Sequence, residues 1–167
     1  MLGIVRAQTG QPFNISRTTP AALNELTAGQ VRPNRDLSVP WDKITSGTTA
    51  GCPGVAGERK LGGPDLYFDP CAFSMPGSRQ MGNLARLPIL APGIAKWDFA
   101  ISKETGLTER WRLQFRAEAF NLTNRVNFGR PAGNVFTAGG GRIGSAGRIS
   151  SASMDSRQMQ FSLKLLF

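Results

Sequence analysis

The chain has 167 residues, a formal net charge of +9 and no histidine. That length allows one core-bearing domain, yet its 20 glycines and 11 prolines, crowded into 29–94 and 129–147, are unusual for a single compact unit. No stretch approaches the ~18 apolar residues of a membrane-crossing helix, and the lack of His removes the commonest general base and metal ligand. Neither exclusion touches β-barrels, whose strands are about ten residues long and only half apolar. The basic balance permits nucleic acid or an anionic surface as partner. No run of more than two adjacent basic residues occurs, however, and cations scattered through loops and one strand face are the simpler account. The opening Met1-Leu2-Gly3-Ile4-Val5-Arg6 has no cationic segment leading into a long apolar run. It does not read as a signal peptide, so a barrel reading implies a fragment or a broken reading frame.

Residues 1–9 read as a weak strand with Leu2 and Ile4 on one side, ended by Gly10-Gln11-Pro12-Phe13, since Pro donates nothing to a ladder. Across 10–95 neither the strand nor the helix period is sustained. A helical turn over Ala21–Leu26 follows Thr-Thr-Pro, and the rest is turn punctuation by Gly and Pro. This stretch is expected to be one long irregular loop. Its two cysteines, Cys52 and Cys71, sit in Gly/Pro-rich surroundings at a spacing wrong for a C-x-x-C pair. They fit either a disulfide closing the loop in an oxidising compartment or two free thiols.

Residues 96–103 alternate, with Trp97, Phe99 and Ile101 on one face and Asp98, Ala100 and Ser102 on the other. A short turn is expected at 104–109. Over 110–122 a strand puts Trp111, Leu113, Phe115, Ala117 and Ala119 on one face, and Arg110, Arg112, Gln114, Arg116 and Glu118 on the other. A helix would instead stripe Trp111, Phe115, Ala119 and Leu122, and it is well supplied with helix formers. The strand template fits without error, whereas the helix leaves Leu113 near the polar side. Residues 123–156 are Gly/Ser/Ala-rich around Gly139-Gly140-Gly141-Arg142-Ile143-Gly144, which lacks the strand–helix context of a phosphate-binding loop. The last stretch, 157–167, alternates Met159, Phe161, Leu163, Leu165 and Phe167 with Gln158, Gln160, Ser162 and Lys164.

The expected fold is all-β: a partial transmembrane antiparallel up-and-down β-barrel of about four C-terminal strands with long irregular extracellular loops. Strand 1–9 precedes extracellular loop 10–95. Residues 96–167 hold the last three strands (96–103, 110–122, 157–167), a periplasmic turn at 104–109 and an extracellular loop at 123–156. Long and short connections alternate, as they do on the two rims of such a barrel. Arg110, Arg112, Gln114, Arg116 and Glu118 then line the lumen, because a lipid-facing Arg costs about 2–4 kcal/mol at mid-depth. Trp97, Phe99, Trp111, Phe115, Phe161, Leu163 and Phe167 face lipid, with Trp97, Trp111 and Phe167 near the periplasmic interface as an aromatic girdle. The competing arrangement is a soluble basic β-rich module binding nucleic acid or an anionic surface, with the same aromatics in its core.

The runs Lys96-Trp97-Asp98-Phe99-Ala100-Ile101-Ser102-Lys103 and Leu107 to Leu122, followed by Asn127-Phe128-Gly129, Gly147-Arg148-Ile149 and Arg157 to Phe167, carry a family likeness. So do Gln8 to Phe13 and Tyr67 to Phe73 upstream. The chain resembles the C-terminal part of TonB-dependent outer-membrane receptors, closest to the Oar-like group that carries a carboxypeptidase regulatory domain. The resemblance implies a barrel of about 22 strands, a plug domain, a TonB-type energy-coupling protein as partner and substrate import. The terminal Phe with its alternating apolar residues resembles the signal read by the outer-membrane insertion machinery. On this reading the chain is no enzyme and needs no cofactor. Its partners are outer-membrane lipid and the remainder of barrel and plug, with no nucleic acid expected, and it does not transport by itself.

Overall fold

The computed structural model describes residues 1–18, 32–77 and 80–167. The helical turn expected over Ala21–Leu26 lies outside the described residues. Among the described residues there are ten strands: β1 (Leu2–Gln8), β2 (Pro12–Phe13), β3 (Ser16–Arg17), β4 (Asn34–Arg35), β5 (Phe73–Ser74), β6 (Ile89–Leu90), β7 (Ile94–Gly106), β8 (Arg112–Phe120), β9 (Asn134–Phe136) and β10 (Gln158–Leu166). The same residues also hold a helical turn, α1 (Trp41–Ile44), and a 3-10 turn, Pro70–Ala72. The chain divides into two compact units, the first from 1–10, 92–128 and 152–167, the second from 11–91 and 129–151.

The first unit is a four-stranded sheet in the order β1-β7-β8-β10, antiparallel at every pairing. Strands adjacent in this sheet follow one another within the unit, so the sheet is an up-and-down meander. Residues 112–120 form a strand, which resolves the helix–strand ambiguity of 110–122. Tertiary pairing on both sides outweighs the helix propensity of Ala117, Glu118 and Ala119. Strand β7 is longer than the alternating run 96–103 and absorbs 104–106, so the hairpin tightens to Leu107–Trp111. There Leu107 N and Thr108 N donate to Trp111 O at 2.8 and 3.2 Å. Among the described residues the sheet is open, with β1 and β10 at its edges.

The second unit replaces the single irregular loop expected over 10–95. Three two-stranded pairs hold it: β2 with β6, β4 with β5, and the parallel pair β3 with β9. Its strands are too short to show a period, which is why the sequence reads there as turns alone. Phe13, Ile15, Ile44, Phe68, Phe73, Leu84 and Val135 are buried together. Phe68 lies between two aromatics, its ring centroid 6.1 Å from that of Phe13 and 5.9 Å from that of Phe73. Aromatic cores of this kind compensate for little regular structure, since each ring removes a large apolar area from water. Cys52 and Cys71 are joined by a disulfide with Cα atoms 5.7 Å apart. Gly51, next to the bridge, has φ +84°, and a Cβ there would stand 2.7 Å from Gly57 N. Only glycine meets both demands.

Candidate functional site

The first unit presents two chemically opposite faces, and register fixes their membership because directly opposed residues share a face. One face carries Phe99 opposite Ala119, Ile101 opposite Ala117, Phe115 opposite Leu163 and Leu113 opposite Leu165. Gly3, Val5 and Ala7 continue it through Phe99, Trp97 and Ala95. Its larger side chains on β8 and β10 and at the hairpin are exposed, with Phe161 at 65 %, Leu163 at 67 %, Phe115 at 43 % and Trp111 at 42 %, while Phe99, Ile101 and Leu113 are half-buried and Ala119 is buried. Phe115 and Phe161 stack at 6.4 Å, and Trp111 meets Phe167 at 5.4 Å. Leu2 and Ile4 fall on the other face, opposite Ala100 and Asp98.

The structure separates the expected girdle. Trp111 and Phe167 lie at the hairpin end of the sheet, whereas Trp97 sits near the start of β7, opposite Val5 and close to the other end. The three therefore do not share one interface, because β7 and β8 run in opposite directions and Trp97 and Trp111 both stand near the start of their runs. From Met159 to Phe167 the apolar face runs about 27 Å along the strand. At the ~40° tilt of outer-membrane barrels that is ~21 Å of height, close to the ~25 Å apolar band such barrels present.

The opposite face is polar and internally paired. Arg112 reaches Glu104 at 3.3 Å and Lys96 reaches Asp98 at 2.9 Å, while Arg116 is paired with Glu118. Gln160 also donates to Glu118. Arg112, Gln114, Arg116 and Glu118 thus line one ladder, whereas Arg110 belongs to the turn, its backbone N donating to Thr108 Oγ1 at 3.4 Å. The Arg112–Glu104 pair is exposed and contributes about 0–1 kcal/mol; Lys96, Asp98 and Glu118 are partly buried. The larger effect of the pairs is to neutralise the arginine row, which leaves it little net attraction for an anionic solute. Phe120 is an aromatic on this same face, opposite Gln158, with the Lys96 ammonium 5.7 Å from its ring centre.

The least expected arrangement is an asparagine clamp where β8 ends and β10 begins. Asn121 N donates to Asp98 Oδ1 at 2.8 Å, and Asn121 Nδ2 donates to Arg125 O and Asp155 O at 3.0 and 3.2 Å. Asn127 Oδ1 accepts from Ala95 N at 2.8 Å, and its carbonyl accepts from Ser153 N at 2.8 Å. Asn124 Oδ1 accepts from Arg157 N at 3.2 Å. Both clamp side chains, Asn121 and Asn127, are buried. Asn121 and Asn124 have φ of +51°, a left-handed conformation that asparagine tolerates better than most residues. The spacing Asn121, Asn124, Asn127 was the available signal, visible in sequence only as an interruption of the strand pattern.

In the second unit Arg142, within the glycine-rich run, donates to Pro70 O at 2.5 Å and Phe73 O at 2.9 Å. Its guanidinium lies 5.0 Å from the Phe136 ring centre. Burial lowers its pKa, opposed by the Asp69 charge. Asp69 Oδ1 accepts from Thr49 Oγ1 and Cys71 N, both at 2.8 Å. This glycine run is therefore pinned to the 3-10 turn by an arginine that composition gave no reason to single out.

An antiparallel meander with one uncovered apolar face and one charged, self-paired face is a membrane-spanning β-barrel wall. In agreement, a family model described as an outer membrane beta barrel domain matches residues 1–160. The chain belongs to that family and is located in the outer membrane. No curated protein and no solved structure matches it significantly.

Proposed function

We propose that the chain is the C-terminal barrel segment of a TonB-dependent outer-membrane transporter of the Oar-like group. It supplies barrel wall through the four-stranded sheet, and surface loops through 11–91 and 129–151, for energy-coupled uptake of a substrate. The observation that carries the reading is the open meander with unpaired edges at β1 and β10. Unsatisfied edge N–H and C=O groups are not tolerated against lipid, so further strands must complete the wall. The family likeness over 96–167 supplies the finer identity, and with it a plug domain, a TonB-type coupling protein and the insertion machinery as partners. No catalytic step is assigned, and the segment alone does not transport.

A soluble basic module would cover the face formed by Phe115, Phe161 and Leu163, which here stays open. The test is made on the full-length parent: membrane fractionation, heat-modifiable gel mobility, and co-purification with a TonB-type protein that depends on an energised inner membrane. An outer-membrane parent that neither binds such a protein nor carries a plug would refute the transporter reading while leaving the barrel intact.

A further inference from the structure

Within the four strands of the sheet, one charged side chain falls on the apolar face. Lys103 shares the parity of Trp97, Phe99 and Ile101 and stands directly opposite Phe115. The strand carboxylates Asp98, Glu104 and Glu118 all lie on the other face, each with its own cation. Among the described residues Lys103 makes no ion pair, and it is exposed. A bare ammonium on a hydrocarbon-facing surface must find water or an anion.

Its position makes this feasible. Lys103 is three residues from the end of β7 at Gly106, which is about 10 Å along the strand and ~8 Å of height at barrel tilt. The flexible stem of a lysine can run along apolar surface while its head reaches the interface. Thr105, next on the same face and opposite Leu113, adds a hydroxyl on that path. The Trp111–Phe167 pair marks the same end of the sheet, as interfacial aromatics do.

We propose that Lys103, with Thr105, binds the phosphate of an anionic phospholipid headgroup at the hairpin-side rim of the sheet. The proposal rests on the barrel-wall reading. Charge complementarity decides the occupant: a lone cation on an acid-free apolar face fits a ligand with an anionic head and hydrocarbon tails. The tails lie along Ile101 and Phe115 while the phosphate meets the ammonium.

The experiment places the full-length parent, with Trp111 kept as its single tryptophan (W41F/W97F within this segment), in phosphatidylcholine vesicles and compares quenching by brominated phosphatidylglycerol and by brominated phosphatidylcholine. One lysine near an anionic surface gives a preference of about fivefold for phosphatidylglycerol. Lys103→Gln is expected to bring it close to one, with Lys103→Arg retaining it and millimolar inorganic phosphate leaving it unchanged. A wild-type protein without preference, or a Lys103→Gln protein that keeps it, overturns the proposal. So does displacement by free phosphate, which would show an ion site without lipid. Absence of quenching by both brominated lipids would overturn the barrel-wall reading itself, and the proposal with it.

Discussion

Placing a charge at the middle of the apolar face tests the membrane assignment most directly. Leu163 lies midway between Met159 and Phe167 and is 67 % exposed opposite Phe115. About 14 Å of strand separates it from either end, or ~10 Å of depth at barrel tilt, so its side chain meets hydrocarbon at mid-plane. Leu163→Arg is therefore expected to destabilise the inserted protein by about 2–4 kcal/mol, whereas Phe167→Arg at the rim costs about 0–1 kcal/mol. Ser162→Arg, one residue away on the polar face opposite Arg116, is expected to cost no more than about 1 kcal/mol, from like-charge repulsion across the pair. In equilibrium terms the first change is a loss of roughly 30- to 1,000-fold. Urea titration of the vesicle-inserted full-length parent, followed by tryptophan emission, measures all three. If Ser162→Arg cost as much as Leu163→Arg, or if Leu163→Arg were neutral, the assignment of faces would be wrong.

Asn121→Ala removes three side-chain hydrogen bonds at a residue with φ +51° and is expected to cost about 2–4 kcal/mol. Limited proteolysis within 122–156 should report the released loop ends. Cys52→Ser/Cys71→Ser opens a bridge with sequence separation 19, and loop-closure entropy puts the loss for the second unit at about 3 kcal/mol. Emission of Trp41 during unfolding, with and without reductant, checks this. Tyr67 is the single tyrosine; burial raises its pKa above the ordinary 10.0 while its hydroxyl donates to Leu90 O at 2.9 Å. A raised folded-state value means that the stabilisation is fully present below pH 10 and lost as pH climbs through the folded pKa. Absorbance at the phenolate band should show a midpoint above that of free tyrosine, and Tyr67→Phe should abolish the alkaline loss of stability.

The sheet was legible because its strands are long and two-faced. Phe161, Leu163, Phe115 and Phe99 alternate without error, and register follows once they must share a surface. The second unit was not legible, for the converse reason. Strands of two or three residues carry no period, and its core is assembled from single aromatics (Phe13, Phe68, Phe73) separated by turns. Cys52 and Cys71 marked their own loop, but nothing in their spacing chose between bond and thiols. The arginine row expected to line the lumen was readable as a row, and Arg116 with Glu118 is a same-strand pair that alternation already placed together; only the pairing of Arg112 with Glu104 depends on which strands lie side by side. The position of Lys103 also follows from alternation, and only the extension of β7 beyond residue 103 shows how near it lies to the hairpin end.

The reach of the apolar face has a consequence for bilayer choice. At ~21 Å against a typical hydrocarbon thickness of ~30 Å, the wall is short, and each ångström of mismatch carries a modest energetic penalty. Membranes thinner than average, the bacterial outer membrane among them, suit it best. Short-chain lipids should accept the protein readily, while long-chain lipids must pucker around it or leave it at the surface.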